Sequence, residues 1–156
     1  MRVLAISVKA ATLQLVRAEG EDKKFTIPYK DEWSISGSNR LEDYVEVRKR
    51  LRERIETSMP DVICIAQLEA MALSMGRPTM AWFLAAELRG IVAEAACSTG
   101  VATEYRRKGA VSKSMGKRKA KEYAGDNDFW VSALGSKFPK KYRDTALLAV
   151  SRIREG

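Results

Sequence analysis

The pattern of hydrophobic and polar positions predicts three short β-strands at the start of the chain. Apolar residues are concentrated over positions 2–8 and 11–17, and a third β-like run covers positions 24–29. The links between these runs are short, which is typical of strands that pair with their neighbours in sequence. We therefore expect a three-strand antiparallel meander. Proline cannot donate a ladder hydrogen bond, so Pro28 is expected near a strand end or at the sheet edge.

An amphipathic helix is predicted after the polar linker that follows the third run. Apolar side chains recur at helical spacing between positions 41 and 55, and charged side chains occupy the remaining surface. Asn39 stands three residues before Glu42, the spacing of a helix N-cap and its reciprocal glutamate. The helix is expected to end before Pro60.

The remaining pattern alternates between strands and helices. Residues 61–67 are almost continuously apolar, which indicates a central strand buried on both faces. A long apolar helix is predicted from Pro78 to a stop at Gly100. Residues 101–107 predict a fifth strand, and residues 144–154 predict a final helix. The expected fold is α/β, with a mixed five-stranded sheet and helices on both faces.

Composition restricts the class of protein and the chemistry available to it. The 156 residues are 46% hydrophobic and 31% charged, as expected of one globular domain over residues 1–156. No apolar run approaches the roughly 20 residues needed to cross a bilayer. We expect a cytoplasmic protein without a membrane partner. The chain has no histidine, and Cys64 and Cys97 lack metal-ligand spacing, so any hydrolytic chemistry must depend on carboxylates.

The whole net charge of +8 comes from the last third of the chain. Basic and acidic side chains number fourteen each over residues 1–100, but residues 101–156 have fourteen basic and six acidic side chains. Residues 106–121 contain no acid and form a basic segment. Its basic residues are Arg106, Arg107, Lys108, Lys113, Lys117, Arg118, Lys119 and Lys121. Such a segment favours a nucleic-acid partner, because phosphate neutralisation releases counterions.

Other features of the basic segment leave its role open. Gly109 and Gly116 would allow the backbone to approach phosphates closely. Nearby aromatic side chains could stack on unpaired bases or could belong to the core. These are Tyr105, Tyr123, Phe129 and Trp130. The segment could also be a disordered, solubilising loop.

The element order and the first sixteen residues, MRVLAISVKAATLQLV, resemble the ribonuclease H-like superfamily, particularly RuvC-type Holliday junction resolvases. The resemblance implies carboxylates on the first strand, at the end of the central strand and at the start of the final helix. In active relatives these acids hold two Mg²⁺ or Mn²⁺ ions that cleave a phosphodiester. It also implies that the basic segment passes the active-site cleft.

The resemblance places few of those acids in this chain. Ser7 stands at the first-strand position, and either Ala66 or Glu69 stands at the central-strand position. Asp144 aligns with the last acid, while Lys141 occupies the companion position one helical turn earlier. Glu69 and Asp144 are therefore the candidate catalytic residues, and we assign no metal ligand. Asp144 could instead be an N-cap or first-turn acid, which needs no catalysis.

Three hypotheses follow from these observations. The first is a protein that binds nucleic acid, expected to be DNA, on a RuvC-like scaffold that has lost metal-dependent cleavage. The second is an active Mg²⁺- or Mn²⁺-dependent, structure-specific endonuclease with a rearranged site built from Glu69, Asp144 and Asp126 or Asp128. The third is a phage- or defence-related factor that binds an acidic protein. A homodimer through the long apolar helix is compatible with each hypothesis.

Overall fold

The computed structural model describes residues 1–35, 38–67, 76, 79–116 and 118–156. Five strands form one mixed sheet with the order β3-β2-β1-β4-β5. The strands are β1 (Arg2–Lys9), β2 (Thr12–Glu21), β3 (Lys24–Ser34), β4 (Val62–Ala66) and β5 (Ala102–Arg106). The first three pair antiparallel, whereas β1, β4 and β5 run parallel. The predicted meander and the mixed five-stranded sheet are confirmed.

Helices cover both faces of the sheet, as predicted. The helices are α1 (Arg40–Ser58), α2 (Met80–Cys97), α3 (Lys108–Met115), α4 (Ala120–Gly125), α5 (Asn127–Leu134) and α6 (Lys140–Ile153). Alternate residues of β1 point to opposite faces, so Leu4 and Ile6 pack with α1 and α2, while Val3 and Ala5 pack with α6. Within the described ranges, no helix combines the length and apolarity needed to cross a membrane.

Local sequence signals account for several element boundaries. Asn39 is the N-cap of α1, and its side chain accepts a hydrogen bond from the backbone N–H of Glu42 at 3.4 Å. Pro28 lies in β3, an edge strand, as predicted. Thr79 caps α2 by accepting from the backbone N–H of Trp82 at 3.3 Å. The predicted first-turn role of Pro78 lies outside the described residues.

Two sequence-based expectations are wrong in their local structure. Helix α6 begins at Lys140, after Pro139, so Asp144 lies in its second turn rather than at the N-cap or in the first turn. The segment after β5 is helical rather than a disordered loop. The physical reason is that Val111 and Met115, one helical turn apart on α3, are buried in the core under α6.

The core between the sheet and α6 is apolar in the middle and polar at two places. One polar cluster lies near the N-terminal end of α6, where Thr145 contacts Ser7 on β1. The other lies near its C-terminal end, where Ser151 contacts Arg106 on β5. Buried polar groups need hydrogen-bond partners, so each cluster constrains the packing of α6 on the sheet.

Candidate functional site

Polar side chains from three adjacent strands form a row beneath the N-terminal part of α6. Ser7 on β1 is the strand partner of Gln14 on β2, and Gln14 is the strand partner of Glu32 on β3. Cross-strand partners have neighbouring side chains on one face of the sheet. Thr145 and Lys141, one helical turn apart on α6, complete this group, which we call the polar row.

The hydrogen bonds of the polar row have one consistent direction. Gln14 Nε2 donates to Glu32 Oε2 at 2.6 Å, so the amide oxygen of Gln14 faces Thr145. Thr145 Oγ1 lies 3.1 Å from that oxygen and 2.9 Å from Ser7 Oγ. A hydroxyl has one proton and the amide oxygen only accepts, so Thr145 donates to Gln14 and Ser7 donates to Thr145. Ser7 and Gln14 are only 8% and 3% exposed, and the row satisfies both buried groups.

The polar row ends at the surface on an ion pair. Lys141 Nζ lies 3.5 Å from Glu32 Oε1, and the Lys141 side chain is 56% exposed. The hydrogen bond from Gln14 holds the pKa of Glu32 below its ordinary value, against a smaller opposing effect of burial, and the Lys141 charge lowers it further. Hydrogen bonding with Tyr142 and the charge of Glu32 raise the pKa of Lys141. Both groups are therefore charged at neutral pH.

The residues at this position do not fit a divalent metal ion. Mg²⁺ and Mn²⁺ require several oxygen ligands with negative charge among them. Ser7 and Thr145 are neutral and hydrogen-bonded to each other, and the one carboxylate of the row, Glu32, is paired with Gln14 and with the cation Lys141. Asp144 is exposed on α6. Across the described part of the chain, no group of three or more histidine, cysteine, aspartate or glutamate side chains could hold a metal.

The end of the central strand supplies no acid among the described residues. Ala66 is the last residue of β4, and its carbonyl accepts a hydrogen bond from Arg89 Nε at 3.2 Å. The next residue, Gln67, accepts from Arg107 Nε at 3.0 Å. Glu69 lies outside the described residues, so its proposed catalytic role stays a prediction.

Arg106 lies inside the fold, which corrects its assignment to the nucleic-acid-binding set. Its guanidinium donates to Ser151 Oγ at 2.9 Å, to Glu104 at 3.1 Å and to Glu155 at 2.5 Å. A further bond of 3.1 Å reaches Ser114 on α3. The side chain is 6% exposed and cannot reach a phosphate at the surface. We call Arg106 and these four partners the Arg106 cluster.

Burial and neighbouring charges shift the pKa values of Glu155, in the Arg106 cluster, and of Cys64, beside it. Burial raises the pKa of Glu155, but hydrogen bonds from Arg106 and Ser114 outweigh it, so the net pKa lies below the ordinary value. Cys64 lies beside the cluster, with Sγ 3.5 Å from Glu104. Burial, followed by the charge of Glu104, raises the pKa of the Cys64 thiol. This cysteine is a protonated core residue and not a nucleophile.

Six other basic side chains of the segment are exposed, and we call them the basic surface. They are Arg107, Lys108, Lys113, Arg118, Lys119 and Lys121. They follow β5 through α3 and α4, which place apolar side chains against α6 and so direct the polar ones outward. Lys117 lies outside the described residues.

The aromatic residues near the basic surface divide into core and surface positions. Trp130 is fully buried, and its Nε1 donates to the carbonyl of Tyr123 at 3.0 Å. Tyr123 is itself buried, with its hydroxyl 2.8 Å from the Met115 carbonyl. These two rings are core residues and cannot stack on bases. Tyr105 on the edge strand β5 is 52% exposed, and Phe129 is partly buried.

Asp126 caps a helix and forms an ion pair in the described part of the chain. The Asp126 side chain caps α5 by accepting from the backbone N–H of Phe129 at 3.0 Å, and it also pairs with Arg118 at 2.6 Å. The bond from Phe129, followed by that from Arg118, keeps the pKa of Asp126 below its ordinary value. Asp126 therefore has a structural role, while the rearranged site with Glu69 stays a prediction because Glu69 lies outside the described residues.

Two lysines missed by sequence reasoning lie next to the basic surface. Lys23 and Lys24, at the β2–β3 turn, line a groove of about 570 Å³ together with Arg118, Asp128 and other residues. No pattern in the sequence connects this hairpin with a segment nearly a hundred residues later. The contact arises because α5 packs on β3, where Phe25 meets Trp130 with ring centroids 6.4 Å apart.

Comparison with solved structures identifies the fold. The chain is similar to Thermus thermophilus RuvC, with a TM-score of 0.76 and 19% sequence identity over 97% of this chain and 92% of that protein. The chain has a RuvC-type, ribonuclease H-like fold. The polar row lies where β1 meets the N-terminal part of α6, two of the elements on which the sequence resemblance expects acids.

Two further structures share this RuvC-type fold. T. thermophilus RuvC in complex with a Holliday junction substrate has a TM-score of 0.76 at 15% identity, covering 97% of this chain and 91% of that one. The yeast mitochondrial Holliday junction resolvase has a TM-score of 0.60 at 16% identity, covering 98% and 78%. Identities this low establish the fold alone. No protein-family model matches the chain, and no curated protein matches it.

Proposed function

We propose that this protein binds nucleic acid, with branched or duplex DNA as the expected ligand, and does not cleave it. The observation that carries the proposal is the coexistence of an exposed basic surface with a polar row whose one carboxylate, Glu32, is paired with Gln14 and Lys141. The basic surface supplies cations for phosphates, while the polar row supplies neutral hydroxyls, an amide, and an ammonium paired with the carboxylate of Glu32. Phosphate contacts of this kind position a nucleic acid without reading its sequence.

The fold supports a branched or duplex DNA ligand. T. thermophilus RuvC was solved with a Holliday junction substrate, and fowlpox virus resolvase was solved with Holliday junction DNA. In this chain α3 and α4 pack beside α6, so the basic surface lies beside the helix that bears Lys141 and Asp144. The groove lined by Lys23, Lys24 and Arg118, together with Asp126 and Asp128, lies next to the basic surface beside α5.

Charge reversal on the basic surface tests the binding half of the proposal. Lys113→Glu with Lys121→Glu should weaken binding of a labelled four-way junction, measured by fluorescence anisotropy. Each lost phosphate contact should reduce the slope of log K against log salt by about 0.9. The matched control is Lys49→Glu with Arg52→Glu on α1, which removes the same charge from the opposite sheet face. Equal loss of binding in both double variants would contradict a localised interface.

Incubation with Mg²⁺ or Mn²⁺ tests the loss of cleavage. The expected result is that a labelled four-way junction stays intact under conditions in which wild-type protein binds it. Cleavage by wild-type protein that Asp144→Asn abolishes would support the active endonuclease instead. Asp144→Asn should not impair binding, because removing an exposed carboxylate beside a cationic surface lowers repulsion of phosphate.

A further inference from the structure

The ion pair at the end of the polar row gives α6 a fixed cation near its N-terminal end. Lys141 is held between Glu32, with Nζ to Oε1 at 3.5 Å, and the ring of Tyr142, with Nζ 4.8 Å from its centroid. An ammonium on a free four-carbon stem loses side-chain entropy when it binds a ligand. Lys141 has already lost part of this side-chain entropy, because Glu32 and Tyr142 restrict the position of its ammonium before a ligand binds.

Glu32 does not occupy all the hydrogen-bond donors of Lys141, because Glu32 has other partners in the polar row. Glu32 accepts from Gln14 at 2.6 Å as well as from Lys141, and the nearby charge of Lys9 contributes to the lowered pKa of Glu32. Its negative charge is shared among these partners. An ammonium has three N–H donors, and the Lys141 side chain is 56% exposed. A donor therefore remains accessible to an anion from solvent.

The position of this cation conflicts with the metal chemistry implied by the resemblance. The neutral side chains of Ser7, Thr145 and Gln14 do not fit a divalent ion, and the row ends on the exposed ammonium of Lys141, which is paired with Glu32. A phosphodiester has one negative charge and two acceptor oxygens, which one ammonium can bind through a charge-assisted hydrogen bond.

We propose that Lys141 binds one backbone phosphodiester of the nucleic acid in the place that a metal would occupy, without any divalent ion. Ser7, Thr145, Gln14 and Glu32 act as positioning residues that hold the ammonium. This inference rests on the proposed nucleic-acid binding. It assigns a phosphate contact on α6, separate from the basic surface, and makes binding independent of Mg²⁺ and Mn²⁺.

The test is the salt dependence of junction binding by Lys141→Ala, measured by fluorescence anisotropy in the presence of EDTA. Wild-type protein should bind in EDTA, and added Mg²⁺ should not strengthen binding. Lys141→Ala should bind more weakly and reduce the slope of log K against log salt by about 0.9, the value for one duplex phosphate contact. Lys141→Arg, which keeps the charge, should restore the wild-type slope.

Lys49→Ala is the matched control, because Lys49 is exposed on α1 over the opposite face of the sheet. Its salt slope should equal that of wild-type protein. Thermal unfolding of Lys141→Ala should match wild type, since an exposed ion pair contributes little to stability. An unchanged slope in Lys141→Ala, or wild-type binding that requires Mg²⁺ or Mn²⁺, would overturn this inference alone. Absence of junction binding by wild-type protein would overturn the proposed function and the inference with it.

Discussion

The two polar clusters under α6 lie at opposite ends of one helix and use their charges differently. The Arg106 cluster encloses its guanidinium, which is 6% exposed and hydrogen-bonded to residues of β5, α3, α6 and the C-terminus. The polar row encloses neutral groups and leaves its cation, Lys141, at 56% exposure. Both clusters join the sheet to α6, but only the polar row presents a cation to solvent, since the Arg106 cluster exposes its carboxylates instead.

The difference shows that a basic residue in this chain is structural or available for binding according to its depth. Arg106 and Arg107 are adjacent in sequence, yet the first is buried and the second exposed. Successive side chains of a strand point to opposite faces of the sheet. Arg106, the last residue of β5, therefore lies on the face covered by α6, whereas Arg107 comes after the strand and is exposed. A buried cation must be paired where an exposed one need not be, because water no longer solvates it.

Arg106→Met should have the largest effect on stability and would show that the Arg106 cluster is structural. Removing the guanidinium leaves Glu104 and Glu155 without their shared partner, and we expect unfolding to become easier by about 3 kcal/mol. Chemical denaturation monitored by circular dichroism measures this change. Arg107→Met is the matched control and should be near neutral. A stability loss in Arg107→Met as large as that in Arg106→Met would remove the distinction between buried and exposed arginines.

Thr145→Val should have the next largest effect and would show how strongly the polar row binds α6 to the sheet. The substitution keeps the shape but removes the hydroxyl that joins Ser7 and Gln14, and we expect a loss of about 2 kcal/mol. Denaturant midpoints provide the measurement. Thr57→Val is the control, because Thr57 is exposed and its hydroxyl bonds only to the Glu53 carbonyl of its own helix. Equal effects in both variants would indicate that the row is energetically unimportant.

Glu155→Gln should have a smaller effect that depends on pH. The pKa of Glu155 is lower in the folded protein than in the unfolded chain, so its carboxylate stabilises the fold at neutral pH and that contribution is lost as pH falls through the folded-state pKa. The difference in unfolding free energy between wild type and Glu155→Gln should therefore shrink on acidification. Denaturation series at neutral and acidic pH measure it. A difference that grows toward low pH would contradict this pairing with Arg106.

Much of the fold was predictable because it depends on short-range patterns. Period-two and period-3.6 apolar spacing, with Asn39 and Pro28 as local markers, indicated the elements and their order. The candidate site was only partly predictable. The resemblance drew attention to Ser7 and Lys141, but Gln14 and Glu32 were missed because no spacing rule relates positions on three strands and a distant helix.

The order of strands and helices and the location of the excess positive charge follow from residue type and local spacing, so they could be predicted without a structure. Which charges face solvent depends on tertiary packing. Packing of α6 on the sheet buried Arg106 with Glu155 and placed Lys141 beside Glu32, and packing of α5 on β3 brought Lys23 and Arg118 to one groove. These contacts join residues far apart in the chain, and their formation depends on the burial of apolar surface across the whole sheet rather than on local propensity.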